Sequence, residues 1–353
     1  MRLQNFSKKK FPRVTVIVMN YNGIKFLNGC FSSLSRLNYP NIDVIMVDAS
    51  STDGSATFVS KKFPSVKILS FDSSLGVPIC FNKAAEEVKT DLLVKADNDV
   101  IFDKNWLKEM VETIESDPKI GVVGSMILNY DGKSIQEFGS VIDRMGYMTG
   151  CIALEGDPGK LPKILEVFYV SGCSMLFRRK IFDKAGMFDE KFFIYKDDLD
   201  LCWRMKLLGY KTVTNLKSVI CHASGVTQGG SATAIEVKPP STTGRRRYLG
   251  EKNTLRMLLK NYSGFSLLKI LPFYFLQLLS ESIFFAFLGQ FKLAKAYFNA
   301  ILWNIQNLQD TLKERRKVQA IRAVSDRTIM QRMIKGSSRL RFFFKTFKIP
   351  QFD

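Results

Sequence analysis

The sequence predicts an α/β protein: a mainly parallel sheet flanked by helices, with an apolar helical appendage near its C-terminal end. Three observations carry this. Short apolar runs alternate with amphipathic ones, polar residues recur where the apolar runs stop, and the texture changes abruptly from Phe265. With 353 residues, 46% of them hydrophobic, the chain can bury one domain of roughly 250 residues with an appendage.

Val14–Met19 reads as a buried strand ending in a turn at Tyr21–Gly23, and Asn28–Leu37 as a helix. Asp43–Val47 is a second strand stopping at Asp48; Ser55–Lys62 is helical and Val66–Ser70 extended. Pro78–Glu87 is a helix, and the strand Asp91–Ala96 delivers Asp97, Asn98 and Asp99. Such alternation makes parallel sheets, which bind ligands outside the carboxyl ends of their strands. Asn20–Asn22, Asp48 and Asp97–Asp99 all fall at such ends. A second block follows: strand Gly121–Leu128, strand Val167–Phe177, helix Arg179–Ala185, helix Asp197–Leu208, then extended Thr212–Thr214 and Val219–Cys221.

Residues 223–244 are rich in Gly, Ser, Thr and Pro, and with their flanks (222–247) they suit a mobile lid. LLKILPFYFLQLLSESIFFAFLG is dense in apolar residues but broken by Lys269, Pro272, Gln277 and Glu281. It fits an interfacial or re-entrant helix pair better than a tilted span or a core helix. Beyond it, LKERRKVQAIRAVSDRTIMQRMIKG reads as one basic amphipathic helix, and SSRLRFFFKTFK alternates cations with phenylalanines. Both suit an anionic bilayer surface.

A formal charge of +19 and a pI near 9.6 point to a polyanionic partner: nucleic acid, anionic membrane or phosphorylated substrate. Nucleic acid is the weaker choice, because the cations cluster after the apolar segment while the rim of the sheet is acidic. Six scattered cysteines without a C-x-x-C pair favour free thiols in a reducing compartment. The N-terminus MRLQNFSKKKFPR lacks the apolar core of a signal peptide, so a cytoplasmic catalytic part is expected.

Four stretches carry chemistry. Asp97 and Asp99, one residue apart, would share one side of an extended backbone and suit Mg²⁺ or Mn²⁺ beside a phosphate-bearing substrate. In VDASSTDGS, Asp48 can accept hydrogen bonds from a base or sugar, while Ser51, Thr52 or Asp53 caps the next helix. Asp197, Asp198 and Asp200 gather at one helix start, where mutual repulsion can raise one pKa and make a general base. Arg204 lies one turn beyond Asp200, able to pair with it. His222, the only histidine, stands at the head of the lid, where a metal or diphosphate contact competes with a structural role.

MNYNG, VDASSTDGS, ADND, SGCSMLFRR, GMFDEKFFIYKDDLDLCWR and the CHASG histidine, in this order, resemble the family 2 glycosyltransferases. The branch most similar is the rhamnosyltransferase-like one, over roughly Val14 to Tyr262. The resemblance implies a GT-A fold, a nucleotide-diphosphate sugar donor, Mg²⁺ or Mn²⁺, and inversion at the anomeric centre. By motif, Asn22 and Asp48 would line the nucleoside pocket, with Asn82 retained among the donor-binding positions. Asp97 would approach the ribose or sugar and, with Asp99 and His222, the metal. Asp198 would be the general base with Asp197 in reserve, and Arg245, Arg246 and Arg247 further phosphate contacts. The chain departs from the pattern at Asp197, where glutamate is commoner, at Ala49 and Ser74, where asparagine is frequent, and at Pro78.

The expected organisation is a basic tail (1–12), a catalytic domain (13–262), an apolar membrane-associating segment (263–305) and a basic amphipathic segment (306–353). The expected enzyme works on the cytoplasmic face of the cell membrane, peripheral or re-entrant. It would take a nucleotide-sugar donor and a glycan or lipid-linked acceptor. The rival readings are a nucleic-acid-binding protein and an inactive scaffold of the same fold.

Overall fold

The computed structural model describes residues 11–151, 161–223 and 243–341. Most of the basic tail, of the lid and of the phenylalanine-rich C-terminal end lies outside the described residues.

The first half builds β1 (Val14–Asn20), α1 (Ile24–Leu34), β2 (Ile42–Asp48), α2 (Ser55–Lys62), β3 (Lys67–Ser70), α3 (Val77–Glu86) and β4 (Leu92–Asp97). Every residue of β1 is buried. Its alternation sends Val14, Val16 and Val18 to one core with Leu27 and Phe31 of α1. Ile17 and Met19 go to the other, with Cys80, Phe81 and Ala84 of α3. A strand buried on both faces reads as a continuous apolar run, which is why this half was legible.

Then come β5 (Val100–Phe102), α4 (Trp106–Ser116), β6 (Ile120–Asn129), β7 (Ile135–Glu137), β8 (Ser140–Ile142), β9 (Met148–Cys151), β10 (Ile164–Glu166), β11 (Ser174–Arg178), α5 (Arg179–Lys184), α6 (Asp197–Leu207) and β12 (Lys211–His222). The main sheet runs β10-β12-β6-β11-β4-β1-β2-β3, with β5 on β12 and β7 on β6. β1 is parallel to β2 and β4, and β2 to β3. β11 is antiparallel to both β4 and β6. The sheet is therefore mixed but mostly parallel, as predicted.

Three expectations need correction. The run Val167–Phe177 is a strand only from Ser174. Before that, Val167 N donates to Thr212 O while Phe168 N and Tyr169 N both turn to Ser140 O, so this buried stretch follows no single neighbour. Thr212–Thr214 and Val219–Cys221 belong to one strand, β12, irregular between Asn215 and Val219. Helix α4 was not foreseen, although Trp106, Leu107, Met110, Val111 and Ile114 bury one helical stripe.

The C-terminal part is helical: α7 (Gly244–Asn261), α8 (Gly264–Phe287), α9 (Phe291–Gln306), α10 (Leu308–Ala320) and α11 (Asp326–Met330). The single basic helix expected after the apolar segment is two helices, α11 starting afresh with Ser325 as its cap. Helix α7 is polar yet buried. Glu251, Lys252, Asn253, Arg256 and Lys260 are all shielded, because α7 lies between the sheet domain and the α8–α9 hairpin and bonds to both.

Candidate active site

Parallel register brings the polar strand ends to one rim. Asn20 of β1 pairs in register with Asp48 of β2, and Met19 with Asp97 of β4. Asn20 Nδ2 donates to Asp48 Oδ1 at 2.7 Å, and Asn98 Nδ2 to Asn20 Oδ1 at 2.6 Å. Gly23 allows this packing, since a Cβ there would lie 1.8 Å from Asn98 Nδ2. Asn22, at φ 48°, accepts from Thr52 N at 2.8 Å, and its own N–H donates to Ser51 Oγ. Asp53 accepts from Ile24 N and Ser55 N, so the loop after β2 is fastened on both sides and buried Asp48 is aimed at the rim.

Asp97, Asp99 and His222 converge, their ligand atoms all within 4.8 Å of one another. The means differ from the extended backbone expected: Asn98 and Asp99 form a turn between β4 and β5. β5 then pairs with β12, His222 opposite Val100. His222 Nε2 lies 3.3 Å from Asp99 Oδ1, and its Nδ1 3.1 Å from Gln136 Oε1. Burial disfavours the imidazolium, but the hydrogen bond and charge of Asp99, with Asp97 and Glu137, outweigh it and raise the His222 pKa. Two hard carboxylates and one imidazole form a donor set that fits Mn²⁺ or Mg²⁺.

The acid cluster at the start of α6 divides by depth. Asp200 is fully buried, bonded to Arg204 Nε (2.8 Å), Lys260 Nζ (3.0 Å) and Asn261 Nδ2 (3.0 Å), which removes it from the rim. Asp198 Oδ2 accepts from Gly172 N at 3.0 Å and Oδ1 from Leu199 N at 2.7 Å. Asp197 is buried beside it. Burial raises its pKa to about 7, Asp198 and Asp97 adding to the effect while Lys95 opposes it.

Lys95, unforeseen in the sequence, ties these groups together. Its side chain is 5% exposed and lies 3.6 Å from Asp97, donating to Gly172 O at 3.1 Å. Burial disfavours its charge, but Asp97, Asp197 and Asp198 restore it and leave its pKa raised. Gly172 thus serves Lys95 with its carbonyl and Asp198 with its N–H; a Cβ there would meet Lys95 Nζ at 2.6 Å. Glu137 is a second unforeseen acid. Burial and the charge of Asp198 raise its pKa, against a hydrogen bond from Ser140.

The structure does not bring every expected residue to this group. The Asn82 amide is spent on Phe188, donating to its O at 2.9 Å and accepting from its N at 3.1 Å. Arg247 pairs with Glu251 at 3.3 Å and covers the Tyr297 ring. Arg245 and Arg246 lie over Phe193 and Tyr195, flanking the loop that leads to Asp197.

Glycosyl transferase family 2 matches this sequence over residues 15–186, the stretch holding Asn20, Asp48, Lys95, Asp97 and Asp99. Residues 15–186 form a glycosyl transferase family 2 domain. Within the family it is rhamnosyltransferase-like: an N-acetylglucosaminyl-diphospho-decaprenol L-rhamnosyltransferase of Mycobacterium tuberculosis is 24% identical over 233 residues, covering 59% of this chain and 75% of that protein. The O-antigen biosynthesis protein RfbC of Myxococcus xanthus is 26% identical over 258 residues. That match spans 68% of this chain but only 20% of RfbC. Among solved structures, GalNAc-T7 crystallised with UDP, GalNAc and Mn²⁺ superposes with a TM-score of 0.56 at 16% identity. It covers 71% of this chain and 48% of that one. The fold of this family 2 domain is GT-A.

Proposed function

We propose that the protein is an inverting, metal-dependent glycosyltransferase. It moves a sugar from a nucleotide-diphosphate sugar to a hydroxyl of a glycan or lipid-linked glycan at the cytoplasmic face of a membrane. The observation that carries this is the convergence on one rim of Asp97, Asp99 and His222 with the acids Asp197 and Asp198 around Lys95. Support for a lipid-linked acceptor comes from the name of the mycobacterial relative, which specifies a decaprenol-linked substrate.

Asp48, with Asn22 shaping its loop, takes the nucleoside. Asp97, Asp99 and His222 would hold the divalent ion, which supplies charge neutralisation for the departing diphosphate. Asp198, steadied by the N–H groups of Gly172 and Leu199, accepts the proton of the acceptor hydroxyl, which attacks the face opposite the leaving group. Asp197, buried and partly protonated near pH 7, keeps a second full negative charge from crowding the base.

The test is release of nucleoside diphosphate by purified protein across a panel of nucleotide-sugars, with Mn²⁺, Mg²⁺ or EDTA. Turnover of one donor, abolished by EDTA, is the expected result. No release together with no nucleotide binding by calorimetry would overturn the proposal.

A further inference from the structure

The face of the α8–α9 hairpin turned away from the catalytic domain is built the wrong way round for water. On α8, Phe265, Leu268, Leu276, Leu279, Ile283 and Phe287 recur at helical spacing and are 58–89% exposed. The opposite face of the same helix carries Tyr274, Gln277 and Glu281. Gln277 donates to Glu281, Glu281 accepts from Tyr297 and Arg339, and the Tyr274 hydroxyl meets Glu251 of α7. On α9, Phe291, Phe298 and Ile305 are 63–70% exposed and extend the apolar face beyond the turn. A contiguous apolar surface of this kind marks an interaction site.

Charge identifies the occupant. Among residues 264–309 the only carboxylate is Glu281, and it is turned inward on Arg339. The cations Lys269, Lys292 and Lys295 are exposed. An apolar face edged by lysines and free of exposed acids suits an anionic bilayer surface. A second copy of the chain is disfavoured, because pairing like faces would oppose lysine to lysine at a net charge of +19.

Geometry decides how the hairpin sits. At 24 residues α8 is about 36 Å long, enough to cross a bilayer. Crossing would carry Gln277 and Glu281 into hydrocarbon and pull them from Arg339 and Tyr297, a cost that intramembrane charge makes large. We infer that the α8–α9 hairpin lies in the plane of one leaflet, apolar face down and lysines at the headgroups, as a monotopic docking surface. This deepens the membrane partner proposed above and rests only on that part of the proposal. The hairpin is joined to the reaction site through Arg247, which covers Tyr297 of α9, and Arg246, which covers Tyr195, two residues before Asp197.

The experiment is co-flotation of the full chain with vesicles of phosphatidylcholine, with and without phosphatidylglycerol. It compares wild type, the triple variant Leu268→Glu/Leu279→Glu/Ile283→Glu and the double variant Lys292→Glu/Lys295→Glu. All five positions are exposed, so circular dichroism and nucleoside-diphosphate release should match wild type. Wild type should float with the anionic vesicles and be freed by alkaline carbonate. The triple variant should lose at least about tenfold in bound fraction, and the double variant should lose the preference for anionic lipid. Flotation that survives the triple variant, or resistance to carbonate as for a spanning helix, would overturn the inference. So would absence of flotation with dimers that the triple variant disperses. Because donor turnover is read separately, a wild-type chain that turns over donor yet fails to float overturns the docking surface alone.

Discussion

Lys95 is the residue on which the acid cluster depends. Its charge faces Asp97, Asp197 and Asp198 together, and it fits there because position 172 carries no Cβ. In Lys95→Met the three carboxylates lose their shared cation, and Asp197 loses the charge that opposes the rise of its pKa. The rising limb of the kcat/KM–pH profile should move to higher pH and kcat should fall about tenfold or more; an unmoved profile would mean the lysine only fills space. Asp197 gives a second, independent reading through stability. Its pKa is raised from 3.8 to about 7 in the folded protein. Between those values the folded state binds the proton that the unfolded state has released, so this group lowers stability as pH rises through that window. Urea midpoints from pH 4 to pH 8 should therefore fall less steeply for Asp197→Asn than for wild type. Asp198→Asn is expected to cost about 10²–10⁴ in kcat with donor binding intact, checked by turnover beside calorimetry. Asp48, Asp97, Asp99 and the histidine stood out in the sequence because each closes an apolar run, Asp197 and Asp198 because three acids gather at one helix start. Lys95 left one sign too, a lysine inside the otherwise apolar LLVKA, which is expensive unless anions meet it. Which anions meet it depends on β11 and α6 folding back, and no local pattern records that.

At the scale of elements, the loop into α6 is strained and α7 holds it. Phe193, Tyr195 and Lys196 take φ of 66°, 70° and 68°, each costing on the order of 1–3 kcal/mol in a non-glycine residue. Asn253 of α7, fully buried, donates to the carbonyls of Phe192, Ile194 and Tyr195 at 3.0, 2.9 and 2.8 Å. Lys252 adds a bond to Lys191 O. The helix is thus a splint for the backbone that presents Asp197 and Asp198. Asn253→Ala should reduce kcat about 10–100-fold through a misplaced base. Donor KM should change little, because Asp48, Asp97 and Asp99 sit on other elements. A parallel rise in donor KM would show a general collapse of the rim. Period and turn signals located the first four strands to within a residue or two. They failed on α7 because its buried face is polar, so no apolar stripe announces the helix that positions the site.

Across the whole molecule, the charge of +19 does less at the surface than its size suggests. Arg315 donates to the carbonyls of Leu259 and Tyr262, Gln319 to those of Lys260 and Asn261, and Arg322 to that of Asn261. The segment read as a membrane-facing basic helix therefore spends part of its polarity closing the C-terminal end of α7. Arg256 is likewise held by Asp189 and Asp310. A polyanion reading built on total charge, nucleic acid included, loses those cations. Arg339 is the sharpest case. Within SSRLR it looked like one of a row of surface cations, yet it joins Glu251 of α7 to Glu281 of α8 and covers the Tyr147 ring at 3.6 Å. One side chain thereby binds the catalytic domain, the hairpin and the C-terminal segment. In Arg339→Ala, Glu251 keeps Arg247 and the Tyr147 hydroxyl, while Glu281 keeps Tyr297 and Gln277. The loss should therefore fall short of a fully orphaned buried charge, at about 1–3 kcal/mol. Because Arg339 bridges units without supporting the sheet, that loss should appear as faster amide exchange in α8 and α9 while β1, β2 and β4 stay protected. Uniformly faster exchange across the sheet would instead make the hairpin an integral part of one cooperative core.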